Sequence, residues 1–140
     1  MKVYISGPRD GKIDKGLQAQ CLMAIQFFCK ELGISRLRTT LHVKLHHKLF
    51  VDNSHSEGLC ESLDPRTFIL DIALYGNWIS TLAHELVHVK QFAKKELDVA
   101  LQYWKGKDHI DTKYWDQPWE KEARKLQLKL MKAYISEFEV

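Results

Sequence analysis

Apolar positions recur along the chain with two periods, and the elements change where the period changes. Lys2 to Ser6 is a short β-branched and aromatic run closed by Gly7-Pro8, which predicts a first strand ending in a turn. From Asp14 to Leu32 the residues Leu17, Cys21, Ala24, Ile25, Phe28, Cys29 and Leu32 return at helical spacing. Asp14 suits the N-cap of that helix and Gly33 its C-terminal stop. Thr39 to Leu49 switches to strict alternation, Leu41, Val43 and Leu45 against His42, Lys44 and His46. That is a half-buried strand with His42 and His46 on its solvated face; a His46-His47 metal pair is the weaker reading. Asn53 to Ser56 reads as a polar loop.

Gly58–Leu63, Asp64-Pro65-Arg66 and Thr67–Ala73 then read as strand, tight turn and strand. Asp64 and Pro65 suit the first and second positions of a type I turn. The second strand is almost continuously apolar and so belongs at the centre of a sheet. The first, short and carrying Gly58, belongs at an edge.

Gly76-Asn77 breaks the strand pattern, with Asn77 a cap for a helix running to about Lys95. Leu82, Leu86, Val89 and Ala93 line one side of this helix, and His84, His88 and Gln91 an adjacent side. The pattern allows a further short helix from Lys95 to about Trp104, then a loop from Gly106 to Gln117. Pro118, with acidic residues just after it, opens a last helix to about Phe138. Its buried stripe is Trp119, Ala123, Leu126, Leu130, Ala133 and Tyr134; Lys121, Lys125, Lys129 and Lys132 form a solvated basic face. These elements predict an α+β fold in a single domain spanning residues 1–140: a small mixed sheet packed on an N-terminal helix and on the helix of His84 and His88.

Composition narrows the function classes only modestly. The chain has 140 residues, 45% of them hydrophobic and 28% charged, as in ordinary globular domains. No apolar run reaches the roughly 18 residues of a membrane span, and the first residues lack the apolar core of a signal peptide, so a cytoplasmic protein is expected. Cys21, Cys29 and Cys60 are too few and too odd in number for a disulfide framework. Cys21 and Cys29 sit on a buried helical stripe and read as small hydrophobes. A net charge of +3 does not by itself argue for nucleic acid.

The chemistry lies in His84-Glu85-Leu86-Val87-His88, an instance of H-E-x-x-H. Helical residues four apart share a face, so His84 and His88 can offer two imidazoles to one ion. Glu85, about 100° round the helix, can reach water at that ion without being a ligand, which suits a general base. A catalytic zinc takes three protein ligands and keeps an open position, so a third donor must come from another element. His109, Glu120 and Glu122 are the candidates downstream. Glu120 lies in the first turn of the last helix and shares a face with the small Ala123, which permits a close approach to the His84–His88 helix. Glu122 points roughly 160° away from it, so the two would not bind one ion together.

Taken together, "GLCE", "TLAHELVHVKQ" and "YWDQPWEKEA" resemble a small family of SprT-like or minimal zincin metallopeptidases common in bacteriophages, within the gluzincin type. The resemblance covers roughly residues 37 to 125. It implies a minimal zincin-like fold, a Zn2+ cofactor held by His84, His88 and a glutamate of PWEKEA, and Glu85 as general base. The E-x-x-A register favours Glu120 as that third ligand, carried by the C-terminal helix, with Glu122 the fallback. Many gluzincins place an acidic residue four after the ligand glutamate to orient a ligand histidine; here that position is Arg124. The implied activity is hydrolysis of peptide bonds, with an extended peptide or protein substrate paired at the sheet edge near Gly58 to Glu61. Tyr103, His109 and Tyr114 are unranked candidates for stabilising the oxyanion, and Cys60 in the edge strand could sit near the metal, where a packed thiol is the stronger reading and a zinc-blocking thiolate the weaker. Two competing functions remain at this level: a binding protein whose metal is structural or lost, and a peptidase acting on proteins bound to nucleic acid.

Overall fold

A computed structural model describes residues 1–51 and 54–138, the side chain of Val51 excepted. Asn53, the start of the expected polar loop, lies outside the described residues.

The chain opens with β1 (Lys2–Ser6) and α1 (Lys15–Glu31). The Asp14 carboxylate accepts the Leu17 N–H at 3.1 Å, capping α1 as its sequence requires. At the other end Ile34 N–H bonds Cys29 C=O and Gly33 N–H bonds Lys30 C=O, with Gly33 at φ +72°. That pair of bonds is a Schellman stop, and glycine is there because the left-handed backbone excludes a Cβ.

β2 (Thr40–His46) runs parallel to β1, and β6 (Thr67–Ala73) parallel to β2; β5 (Gly58–Asp64) closes the sheet antiparallel to β6. The order β1-β2-β6-β5 makes a mixed four-stranded sheet, with β6 interior and β5 at an edge, as their patterns predict. Leu41, Val43, Leu45, Phe68, Leu70 and Ile72 are buried on one face beneath the helices, whereas His42, Lys44, Leu59 and Glu61 occupy the other. On that outer face His42 stacks on Tyr4 and His46 Nε2 meets Asp71 Oδ1 at 2.7 Å.

The strand expected to run to Leu49 ends at His46. A separate antiparallel pair follows, β3 (Leu49–Val51) with β4 (Ser54–Ser56), so Ser54–Ser56 is strand where loop was expected. Its residues are polar because the ribbon lies off the core, and its pairing is visible only once Leu49 and Ser56 are brought opposite each other.

α2 (Trp78–Ala93) is capped by Asn77, whose side chain accepts the Ser80 N–H at 3.3 Å, and α3 (Pro118–Phe138) has the predicted limits. Cys21, Ala24, Ile25, Phe28 and Cys29 of α1 interlock with Leu82, Leu86 and Val89 of α2 and with Leu130 and Tyr134 of α3 in one core. Burial pushes the Cys21 and Cys29 thiols up to about 12, so they pack as neutral hydrophobes.

The short helix that the pattern allows from Lys95 to about Trp104 does not form. Glu96 N–H bonds Gln91 C=O and Lys95 N–H bonds Phe92 C=O, a second Schellman stop with Lys95 at φ +58°. A lysine stands where glycine would signal the end, which hides the stop in the sequence. The chain turns instead into a hairpin of β7 (Tyr103–Trp104) and β8 (Lys107–Asp108), and a 3-10 turn at Tyr114–Asp116 leads into α3. Among the described residues, no helix is long and apolar enough to cross a membrane.

Candidate metal centre

Both imidazoles of the H-E-x-x-H segment emerge from the middle of α2, with ring centroids 5.0 Å apart. His84, Glu85 and His88 each bring a ligand atom within 4.8 Å of the others, a group that could hold a metal ion. The carboxylate that both rings face, however, is Glu120. Its Oε2 lies 3.2 Å from His84 Nε2 and its Oε1 3.0 Å from His88 Nε2. Glu85 stands beside this trio in the cavity wall. Of the three downstream candidates, Glu120 alone reaches the imidazoles. His109 bonds Thr112 Oγ1 and lies edge-on to Trp119. Glu122 accepts from Lys90 Nζ at 2.8 Å and from Gln91 Nε2 at 3.2 Å.

The closeness of α2 and α3 behind this geometry comes from small and apolar residues. Ala123 is fully buried at the crossing, and Trp119, next to Glu120, is buried beneath the site. β5 approaches α2 from the other side. A Cβ on Gly58 would stand 2.7 Å from Thr81 Cγ2 and 3.1 Å from Glu85 Cγ, so only glycine allows the strand to pass there.

The second nitrogen of each ring is tied as well. Gln127 Nε2 donates to Ser80 O and Ser80 Oγ, which turns its Oε1 to His84 Nδ1 at 2.9 Å. Gln91 Nε2 donates to Trp119 O and Glu122 Oε1, which turns its Oε1 to His88 Nδ1 at 2.8 Å. An amide oxygen only accepts, so both Nδ1 atoms carry the proton. Each neutral ring is then left with its Nε2 lone pair aimed at a carboxylate oxygen, an arrangement that repels unless positive charge enters. Without a metal that charge is a second proton. Burial works against it at His88, but the bond to Glu120 and the charges of Glu85 and Glu120 prevail and raise its pKa to about 9. At His84 burial and the neighbouring His88 oppose the rise, and the bonds to Glu120 and Gln127 with the charge of Glu85 outweigh them. Glu120 moves the opposite way: burial alone would raise it, and the two imidazoles hold it well below the usual carboxylate range. A divalent ion satisfies the same three electron pairs directly. Donors about 2.0–2.1 Å from a tetrahedral ion stand roughly 3.3 Å apart, close to the observed spacings, so the residues present fit a metal.

Gln127 escaped sequence reasoning. Its signal was its position two turns after Glu120, which returns it to the same face of α3. Gln91 was already placed on the side of the histidines. Arg124, four residues after Glu120, donates to Trp115 O at 2.6 Å and lies over the Trp115 ring.

Around these residues opens a cavity of ≈ 390 Å³, walled by Leu59, Cys60, Phe92, Leu101 and Tyr114 among others. Burial raises the Glu85 carboxyl, with the two imidazoles pulling the other way. Burial also raises the Cys60 thiol, and the nearby Glu85 charge adds to it, so Cys60 is a neutral wall residue. Tyr114 OH donates to Glu120 Oε2 at 3.1 Å; burial and the Glu120 charge push its pKa up to about 12. Tyr103, another of the unranked candidates, lines a different cavity.

The chain matches no family model, and no curated protein or solved structure matches it.

Proposed function

We propose that this chain is a zinc-dependent metallopeptidase with a minimal zincin-like fold. The observation that carries this reading is the convergence of His84 Nε2, His88 Nε2 and the Glu120 carboxylate, with both outer ring nitrogens anchored by glutamine oxygens. His84, His88 and Glu120 would hold the ion, and zinc suits a set of two imidazoles and one carboxylate. Zinc bound there supplies a Lewis acid that polarises a carbonyl and acidifies water.

The chain's own groups supply the rest. Glu85, 7% exposed and raised by burial, takes a proton from the attacking water and returns it to the leaving amine. Tyr114 is the oxyanion donor in this reading, because its hydroxyl keeps its proton and already stands against Glu120. β5 has an open edge beside the centre, which suits an extended peptide backbone.

The test is Glu85→Gln, measured by zinc content and by hydrolysis of a peptide library. Zinc should be retained and cleavage lost. Equal cleavage by the two proteins would remove the mechanism, and a wild-type protein that binds no zinc would remove the reading altogether.

A further inference from the structure

At the far end of β5 from the metal centre lies a cavity of ≈ 570 Å³ whose charged lining is Arg36, Arg38, Arg66 and Lys95, with no acidic residue. Among the described residues, none of these four side chains is ion-paired within 4 Å. The Asp64 carboxylate accepts the backbone N–H of Arg66 at 2.8 Å and also feels the Arg66 charge, without forming an ion pair with it. Four cations around one cavity, without a carboxylate among its described lining residues, describe a site for an anionic group.

The cavity shares wall residues with its neighbours. Phe92 lines the metal cavity, this basic cavity and a third of ≈ 270 Å³ between them, and Pro65 and Lys95 are shared by the last two. The acids of the middle section are engaged: Glu96 pairs with Lys90 at 2.8 Å, and Asp98 accepts the N–H groups of Gln102 and Tyr103. The three cavities succeed one another along β5, at Leu59 and Cys60, at Ser62 and Pro65, and at Pro65 and Arg66.

β5 is also built to guide a chain along that line. Ala73 N–H bonds Glu57 O, which makes Glu57 and Ala73 a hydrogen-bonded pair. Antiparallel pairs alternate, so the N–H and C=O groups of Gly58, Cys60 and Ser62 face the open edge. Ser56 Oγ already donates to Gly58 O. At about 3.4 Å per residue, a strand laid on this edge spans roughly four residues between Cys60 and the basic cavity.

We infer that the substrate is an extended peptide carrying acidic residues about four positions from the bond at the metal centre, their carboxylates seated among Arg36, Arg38, Arg66 and Lys95. This rests on the peptidase reading for the cleavage step, and its binding step can be tested alone. A nucleic acid fits less well, because the four cations close one cavity at the end of a strand edge instead of forming a stripe that tracks successive phosphates.

The experiment uses zinc-loaded Glu85→Gln protein and fluorescently labelled peptides. One has a Glu-Glu pair four or five residues to either side of a central apolar segment, and its control has Gln-Gln there. Anisotropy should show the acidic peptide binding at least tenfold tighter at low salt, with the preference falling as salt rises. Arg38→Glu with Arg66→Glu should abolish the preference, and Arg38→Gln with Arg66→Gln should reduce it if charge reversal impairs folding. Equal affinity for the two peptides overturns the inference. So does a single-stranded oligonucleotide that binds more tightly than the acidic peptide with the same sensitivity to these substitutions. Acidic-peptide binding without cleavage of any peptide by the wild type would refute the peptidase reading and leave the site standing. Cleavage without acidic preference in kcat/KM would do the reverse.

Discussion

Gln127 Oε1 lies 2.9 Å from His84 Nδ1, reaching from α3 back to α2 two turns beyond Glu120. One helix thus contributes the carboxylate facing His84 Nε2 and the amide fixing His84 Nδ1. The residue four after Glu120, Arg124, turns away to Trp115, and Gln127, one turn further along, is the residue that meets His84.

Replacing Gln127 with Ala should therefore weaken zinc binding by about 10–100-fold, the usual effect of removing a partner that orients a ligand histidine. Gln127→Glu keeps an acceptor at Nδ1 and should bind zinc far better than Gln127→Ala. Competition with a chromogenic chelator reads both, and equal affinities for the two variants would show that the Nδ1 contact is unimportant.

The raised pKa of His88 gives the metal-free protein a characteristic pH dependence. A histidine whose folded pKa, about 9, exceeds its unfolded value stabilises the fold fully below an unfolded pKa of about 6.5. That contribution is lost as pH rises through about 9. The chelated protein should lose thermal stability across this window, whereas the zinc-loaded protein, with both imidazoles already neutral, should change little. Melting scans of both forms settle it, and a chelated protein that gains stability over the window would contradict the proposed charge state. Glu120, held low, contributes in the opposite sense: its share is present above the ordinary carboxylate pKa and is lost as pH falls through its folded value.

Gly58→Ala should disturb the site without touching a ligand. The new methyl meets Thr81 Cγ2 at 2.7 Å and crowds Glu85 Cγ at 3.1 Å. Overpacking of this kind typically costs about 1–3 kcal/mol. Lower stability and reduced kcat with full zinc content are expected, and Thr81→Ser, which deletes the nearest methyl, should restore part of both. Absence of any rescue would place the clash elsewhere.

Tyr114→Phe removes only the hydroxyl that stands against Glu120. If it serves the oxyanion, kcat should fall roughly 10²–10³-fold with zinc content and KM nearly unchanged. A change confined to KM would assign Tyr114 to substrate contact alone.

Lys95→Gly separates stability from binding. Relief of the left-handed backbone, less the entropy glycine loses on folding, should raise stability by about 0.5–1 kcal/mol. The same change deletes one of the four cations and should weaken acidic-peptide binding. A drop in Tm would mean that the lysine side chain holds the helix end.

The sequence alone determined whatever depends on near neighbours along the chain. The limits of α3, the Asp14 and Asn77 caps, the Gly33 stop and the hairpin at Pro65 follow from local periodicity and backbone preference. The shared face of His84 and His88 is a property of any α-helix, so the core of the candidate centre was legible before folding. The tertiary structure decided what depends on where separate elements cross. Glu120 and Glu122 sit two residues apart, and the α2–α3 packing turned one to the imidazoles and the other to Lys90 and Gln91. Gln127 became a partner of His84, Ser54–Ser56 became a strand, and Phe92 came to join three cavities by the same cause. Lys95 ended α2 with no glycine to announce it, because the Schellman bonds and the turn beyond them hold a conformation that the residue itself disfavours.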